Sequence, residues 1–145
     1  MRHINEFLER DERYEPKAFV VIKPGFIDKG PQIIDIFERE GWMLKRIRTT
    51  RLVPSQAREL YKPHSKEEWY KDLCAYMSSG PSTALILQKS FDRKGDPKEV
   101  RRKALEEVAA IKDRIRKMWG ESEMRNVLHS TDDPARIQTE AGIYF

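Results

Sequence analysis

The chain has one cysteine, Cys74, in 145 residues. That excludes an internal disulfide framework and any metal site built on several thiolates, and a reducing cytosol is the compartment it suits. Histidine is scarce as well, with His3, His64 and His129 far apart and not at ligand spacing. No apolar run approaches the ~18–20 residues of a membrane span, and the charged N-terminus does not read as a signal peptide. Internal repeats and low-complexity tracts are absent. Charge of one sign is lacking too: 28 Lys+Arg stand against 24 Asp+Glu, a net +4 spread along the chain rather than gathered in a tail. Such a balance suits a phosphate-bearing partner without requiring one. The length predicts one domain able to bury about two-thirds of its unfolded surface.

What is present has a clear order. Residues 1–16 are dense in charge, end at Pro16 and read as an extension before the domain, with Ile4, Phe7 and Leu8 as one apolar stripe on a short helix. The domain proper spans residues 17–145. Ala18 to Ile22 is a short, continuous, β-branched and aromatic run, which reads as a buried strand, and Lys23-Pro24-Gly25 places an ammonium at its C-terminal end. Crevices at strand ends are common ligand sites. Gly30-Pro31 opens a helix carrying Ile33, Ile34, Ile36 and Phe37, and Gly41 closes it as a left-handed cap. A basic strand is expected from about Trp42 to Leu52, then a short helix from Pro54 to about Tyr61. Ser65 with Glu68 looks like a capping box for a further helix, on which Trp69, Leu73, Tyr76 and Met77 share one face. After Gly80-Pro81, residues 83–87 read as another buried strand. From Pro97 to Trp119 the chain has no breaker, and Val100, Ala104, Val108, Ile111, Ile115 and Met118 recur at helical spacing until Gly120. A short helix over 134–141 and a last strand at Ile143-Tyr144-Phe145 complete the pattern. The order predicts an α+β fold: a ferredoxin-like split βαβ with a four-stranded antiparallel sheet and inserted helices.

The stretch that carries chemistry is Asn126-Val127-Leu128-His129-Ser130-Thr131-Asp132. A neutral imidazole among small hydroxyls and acids can serve as nucleophile, base or ligand, since its pKa lies near neutrality. Together with Lys23-Pro24, Tyr61, Ser79-Gly80-Pro81, Ile115-Arg116 and Glu140, in that order and near that spacing, it resembles the nucleoside diphosphate kinases from Lys17 to Phe145. The resemblance implies transfer of a γ-phosphoryl group from a nucleoside triphosphate to a diphosphate through a phosphohistidine. By position, His129 would be the nucleophile and Glu140 the carboxylate orienting its ring. Lys23, Asn126 and Tyr61 would line the phosphate and ribose, Trp69 and Leu73 would clamp the base, and Thr131 would sit by the phosphate. Mg²⁺ would arrive on the nucleotide, with no protein metal ligands. A homo-oligomer is implied, tetramer or hexamer.

Departures from the pattern concern the phosphate clamp. Gly25-Phe26 and Ser130 replace the usual acid-small pair and small residue, and the first helix is about two residues short. The family's Gly-x-Thr-x-Pro loop lies between two phosphate-binding arginines, which match Arg101 and Arg116, but here the intervening segment, Lys103 to Val108, has no such threonine and reads as unbroken helix. An asymmetric clamp is therefore expected, with one arginine mattering more than the other. The alternative reading is a nucleotide-binding or regulatory domain of the same fold with weak or no kinase activity. A nucleic-acid module is disfavoured because the ribonucleoprotein aromatic motif is absent.

Overall fold

The computed structural model describes Ile4 and residues 13–145. Phe7 and Leu8 of the expected N-terminal stripe lie outside the described residues, while Ile4 is buried in the core. Four strands form one antiparallel sheet in the order β2-β3-β1-β4: β1 Lys17–Ile22, β2 Met43–Thr50, β3 Ser82–Gln88 and β4 Leu128–Ser130. Among the described residues five α-helices of several residues accompany it: α1 Gly30–Arg39, α2 Pro54–Leu60, α3 Tyr70–Met77, α4 Pro97–Trp119 and α5 Ile137–Tyr144. This is the ferredoxin-like arrangement expected from the element order.

The continuous apolar runs of β1 and β3 follow from burial of both sheet faces, since successive strand residues point to opposite sides. Phe19, Val21, Ala84 and Ile86 pack with Leu60, Leu73, Met77 and Tyr144, beneath α2, α3 and α5. Val20, Ile22, Leu85 and Leu87 pack with Ile33 and Phe37 of α1 and with Val108, Ile111 and Ile115 of α4. Each such side chain contributes about 1.5–3 kcal/mol by leaving water. β2 lies at the sheet's edge, and its Met43 and Ile47 are more than half exposed.

Local chemistry explains the helix ends. Gly41 takes φ +90°, and its amide and that of Trp42 close on Glu38 and Phe37 carbonyls, the Schellman arrangement for which glycine is suited. α4 starts where Asp96 accepts from the Lys98 amide at 3.0 Å, with Pro97 as first helical residue. It runs unbroken to Trp119, as its spacing predicts, although Met118 turns to solvent.

Two expectations are corrected. The Ser65–Glu68 capping box does not form: Ser65 ends a short 3-10 turn at Lys62–His64, the Glu67 amide is already bonded to the His64 carbonyl, and α3 begins only at Tyr70. On α3, Leu73 and Met77 enter the core, and Tyr76 packs at its margin while donating its hydroxyl to the Pro24 carbonyl. Nor is there a strand at 143–145. Residues 137–144 are helical, because Ala141 and Tyr144 then meet the sheet together, the Tyr144 hydroxyl reaching Ser82 Oγ at 2.6 Å. The fourth strand is instead the histidine stretch itself, paired with β1.

Candidate active site

Strand pairing aims the histidine. His129 lies opposite Val21, and directly opposed residues of an antiparallel pair point to the same face. That face is the one covered by α2, α3 and α5. α5 brings Glu140 there, and Tyr61, which follows α2, sets its ring edge-on to the imidazole with centroids 5.1 Å apart. Just before β4, Val127 adopts φ +80° while the Leu128 amide bonds the Asn126 carbonyl at 3.0 Å. A β-branched residue in this γ-turn is strained by about 1–3 kcal/mol. The turn is held by the Lys23 amide, which donates to the Val127 carbonyl at 2.8 Å.

His129 Nε2 lies 2.7 Å from Glu140 Oε1, and Thr131 donates its hydroxyl to the same oxygen at 2.8 Å. Burial pushes the Glu140 carboxyl up, but the hydrogen bonds from His129 and Thr131 and the Arg136 charge outweigh it, leaving Glu140 below the usual carboxylate range. Burial likewise lowers His129, against the upward pull of Glu140. The pair is thus a neutral imidazole beside an ionised carboxylate. An ionised carboxylate only accepts, so the ring proton sits on Nε2 and the lone pair on Nδ1. The nitrogen left for chemistry is Nδ1.

His129 lines a cavity of about 730 Å³ together with Lys23, Tyr61, Trp69, Leu73, Arg116 and Asn126. Seven of the ten residues singled out from the sequence therefore meet at one place. Lys23 is buried, and its ammonium donates to Asn126 Oδ1 at 2.7 Å and to the Met124 carbonyl at 3.2 Å. Burial, with Arg116 and Lys112 nearby, brings its pKa down to about 7. Arg116 donates Nη2 to the Leu128 carbonyl at 2.9 Å, while its buried Nε and the buried Tyr61 hydroxyl find no partner among the described residues. Glu140 stands behind the imidazole. Thr131, two residues after His129 and so on the same face, donates to Glu140 and lines the cavity of Arg101 instead. Arg101 lines a separate cavity of about 190 Å³ with Lys17 and Trp42.

Lys112, Asp132 and His64, to which the sequence assigned no role, also line the larger cavity. Lys112 precedes Arg116 by one helical turn, a spacing that marks a shared face. His64 packs its ring beside Trp69, with centroids 5.2 Å apart.

Fold and cavity together define a class: ferredoxin-like domains with a histidine–glutamate pair at the wall of a cation-lined cavity. The nucleoside diphosphate kinase family model matches residues 16–145, and the chain belongs to that family. It is 30% identical over 131 residues to a nucleoside diphosphate kinase of Prosthecochloris aestuarii, a match covering 89% of this chain and 92% of that one. It is 30% identical over 138 residues to human nucleoside diphosphate kinase homolog 5, covering 91% of this chain and 63% of the human protein. The crystal structure of Aquifex aeolicus nucleoside diphosphate kinase superposes with a TM-score of 0.73 at 26% identity, covering 90% of this chain and 95% of that one.

Proposed function

We propose that this chain moves the terminal phosphoryl group of a nucleoside triphosphate to a nucleoside diphosphate through His129. The observation that carries the reading is the Glu140–His129 pair, which directs a neutral Nδ1 lone pair to a cavity lined by Lys23 and Arg116. In the first half-reaction Nδ1 attacks the γ-phosphorus, the N–P bond forms, and the bond to the β-phosphate bridging oxygen breaks. The diphosphate departs with that bonding pair. Glu140 meets the positive charge that develops on the ring, and the cations meet the charge on the equatorial oxygens. A second diphosphate reverses the steps. Lys23 and Asn126 would hold phosphate and ribose oxygens, with Tyr61 beside them, and Trp69 with Leu73 would receive the base.

Among the described residues no cluster of three or more His, Cys, Asp or Glu side chains is placed to hold a metal ion. Mg²⁺ would be carried in on the nucleotide's phosphates, as part of the substrate. No described helix is long and apolar enough to cross a membrane; the reading of the compartment as cytoplasm rests on the single cysteine. The exposed Met43 and Ile47 on the β2 edge support a homo-oligomer, which sedimentation at micromolar concentration would test; a monomer would overturn it.

Labelled triphosphate should give an acid-labile, alkali-stable adduct that is absent from His129→Ala. An adduct that persists in that variant refutes the assignment. The second reading, a nucleotide-binding domain with little turnover, is favoured by one observation, that Arg101 lines a different cavity from His129. It predicts tight diphosphate binding without exchange between a triphosphate and a different diphosphate.

A further inference from the structure

Lys112 is 9% exposed on the inner face of α4, between Ile111 and Ile115, which are both in the core. A lysine so enclosed costs stability unless its charge is met, and an apolar residue would fill the position at lower cost. Its ion pair with Asp132 spans 3.7 Å, and the Asp132 side chain is 81% exposed, so water screens the pair. The other cations of the cavity are more committed. Lys23 gives its ammonium to Asn126 and Met124, and Arg116 gives Nη2 to Leu128. Lys112 lies about 6 Å along the helix axis from Arg116 and faces the same cavity as His129. The cavity thus holds a third cation, itself buried and with a displaceable partner, on the same helix as Arg116.

We propose that Lys112 is a phosphate ligand of this site, acting with Arg116 across one helical turn, and that the nucleotide's phosphate displaces Asp132 from it. The proposal rests on the reading of the cavity as a nucleotide site. Lys112 takes the place in the clamp that Arg101 cannot fill from its own cavity. Asp132 keeps the buried ammonium compensated until the phosphate arrives.

The test measures Mg·ADP binding by calorimetry and triphosphate–diphosphate exchange for wild type, Lys112→Met, Lys112→Arg and Asp132→Asn, with thermal melts as a control of folding. Loss of a charge-assisted contact predicts binding at least about 10-fold weaker and kcat/KM about 30-fold lower in Lys112→Met, with Lys112→Arg recovering most of both. Asp132→Asn should bind Mg·ADP about 2- to 5-fold more tightly, since the competing carboxylate charge is gone. Lys112→Met that melts like wild type and binds Mg·ADP equally well overturns the proposal. Should that variant not fold, unchanged or weaker binding by Asp132→Asn overturns it. Wild type that binds without exchange refutes the kinase reading and leaves the binding arm to decide on Lys112. Wild type that does neither refutes the nucleotide site itself, and Lys112 with it.

Discussion

Replacing Arg101 and Arg116 in turn by alanine should have very unequal effects. Both lie on α4, which runs without a break from Pro97 to Trp119. Fifteen residues at 1.5 Å rise separate their Cα atoms by about 22 Å along the axis, and an arginine side chain reaches about 6–7 Å, so the two cannot grip one phosphate group. Arg116 lines the cavity that holds His129, while Arg101 lines another. Losing a charge-assisted contact to a phosphate costs about 2–3 kcal/mol of transition-state stabilisation, roughly 30- to 150-fold in kcat/KM. For Arg101→Ala the expected loss is under about 0.5 kcal/mol, about twofold. The assay is exchange between a triphosphate and a different diphosphate under subsaturating conditions. Thermal melts must accompany it, because Arg116 also holds the Leu128 carbonyl next to His129. Arg116→Lys, which keeps charge but loses the forked geometry, should fall between. Equal losses of about 2 kcal/mol or more from both alanines, with native melting, would refute the reasoning, because the helix would then have to bend in the working enzyme.

Five further outcomes rest on the geometry of the site. Glu140→Gln removes the charge facing His129 Nε2 and should lower turnover by about 10- to 100-fold without abolishing it; full loss would make Glu140 more than an orienting group. Because burial lowers His129, phosphoenzyme formation should stay near its plateau as pH falls to the ordinary histidine range and drop only below it. The same shift implies that stability is lost as pH falls below about 6.5, where the unfolded chain binds the proton first, and His129→Gln should remove that part of the dependence in urea titrations. Burial, with Arg116 and Lys112 nearby, brings the Lys23 pKa down to about 7, so diphosphate binding at pH 8 should take up a proton as the phosphate restores the ammonium. Calorimetry in buffers of different ionisation enthalpy reads that uptake, and a proton-neutral binding reaction would argue against Lys23 as phosphate partner. Trp69→Ala should weaken purine and pyrimidine nucleotides alike, since a stacking platform does not read base edges, and selective loss of one class would point to a polar reader.

The sequence by itself determined the buried strands β1 and β3 and the long helix α4. In each, burial imposes a pattern that local composition carries: two covered faces make a continuous apolar run, and one covered face repeats every three to four residues. It also singled out His129, Glu140 and Lys23, through the resemblance of their motifs to a known family, and the fold brings the three to one site. What it could not determine depends on partners distant in the chain. Three residues around His129 become β4 only because β1 offers them an open edge, and nothing in their composition says so. Ile143-Tyr144-Phe145 has strand propensity, yet the sheet's fourth place was already filled and helical spacing buries Tyr144 better. The strained turn at Val127 has no glycine to announce it and exists because Lys23, about a hundred residues earlier, binds its carbonyl. Tertiary packing likewise parted Arg101 from Arg116 and set Lys112 beside the histidine instead. A rigid helix places side chains by its own period and axis, and the cavity takes whichever turn happens to face it.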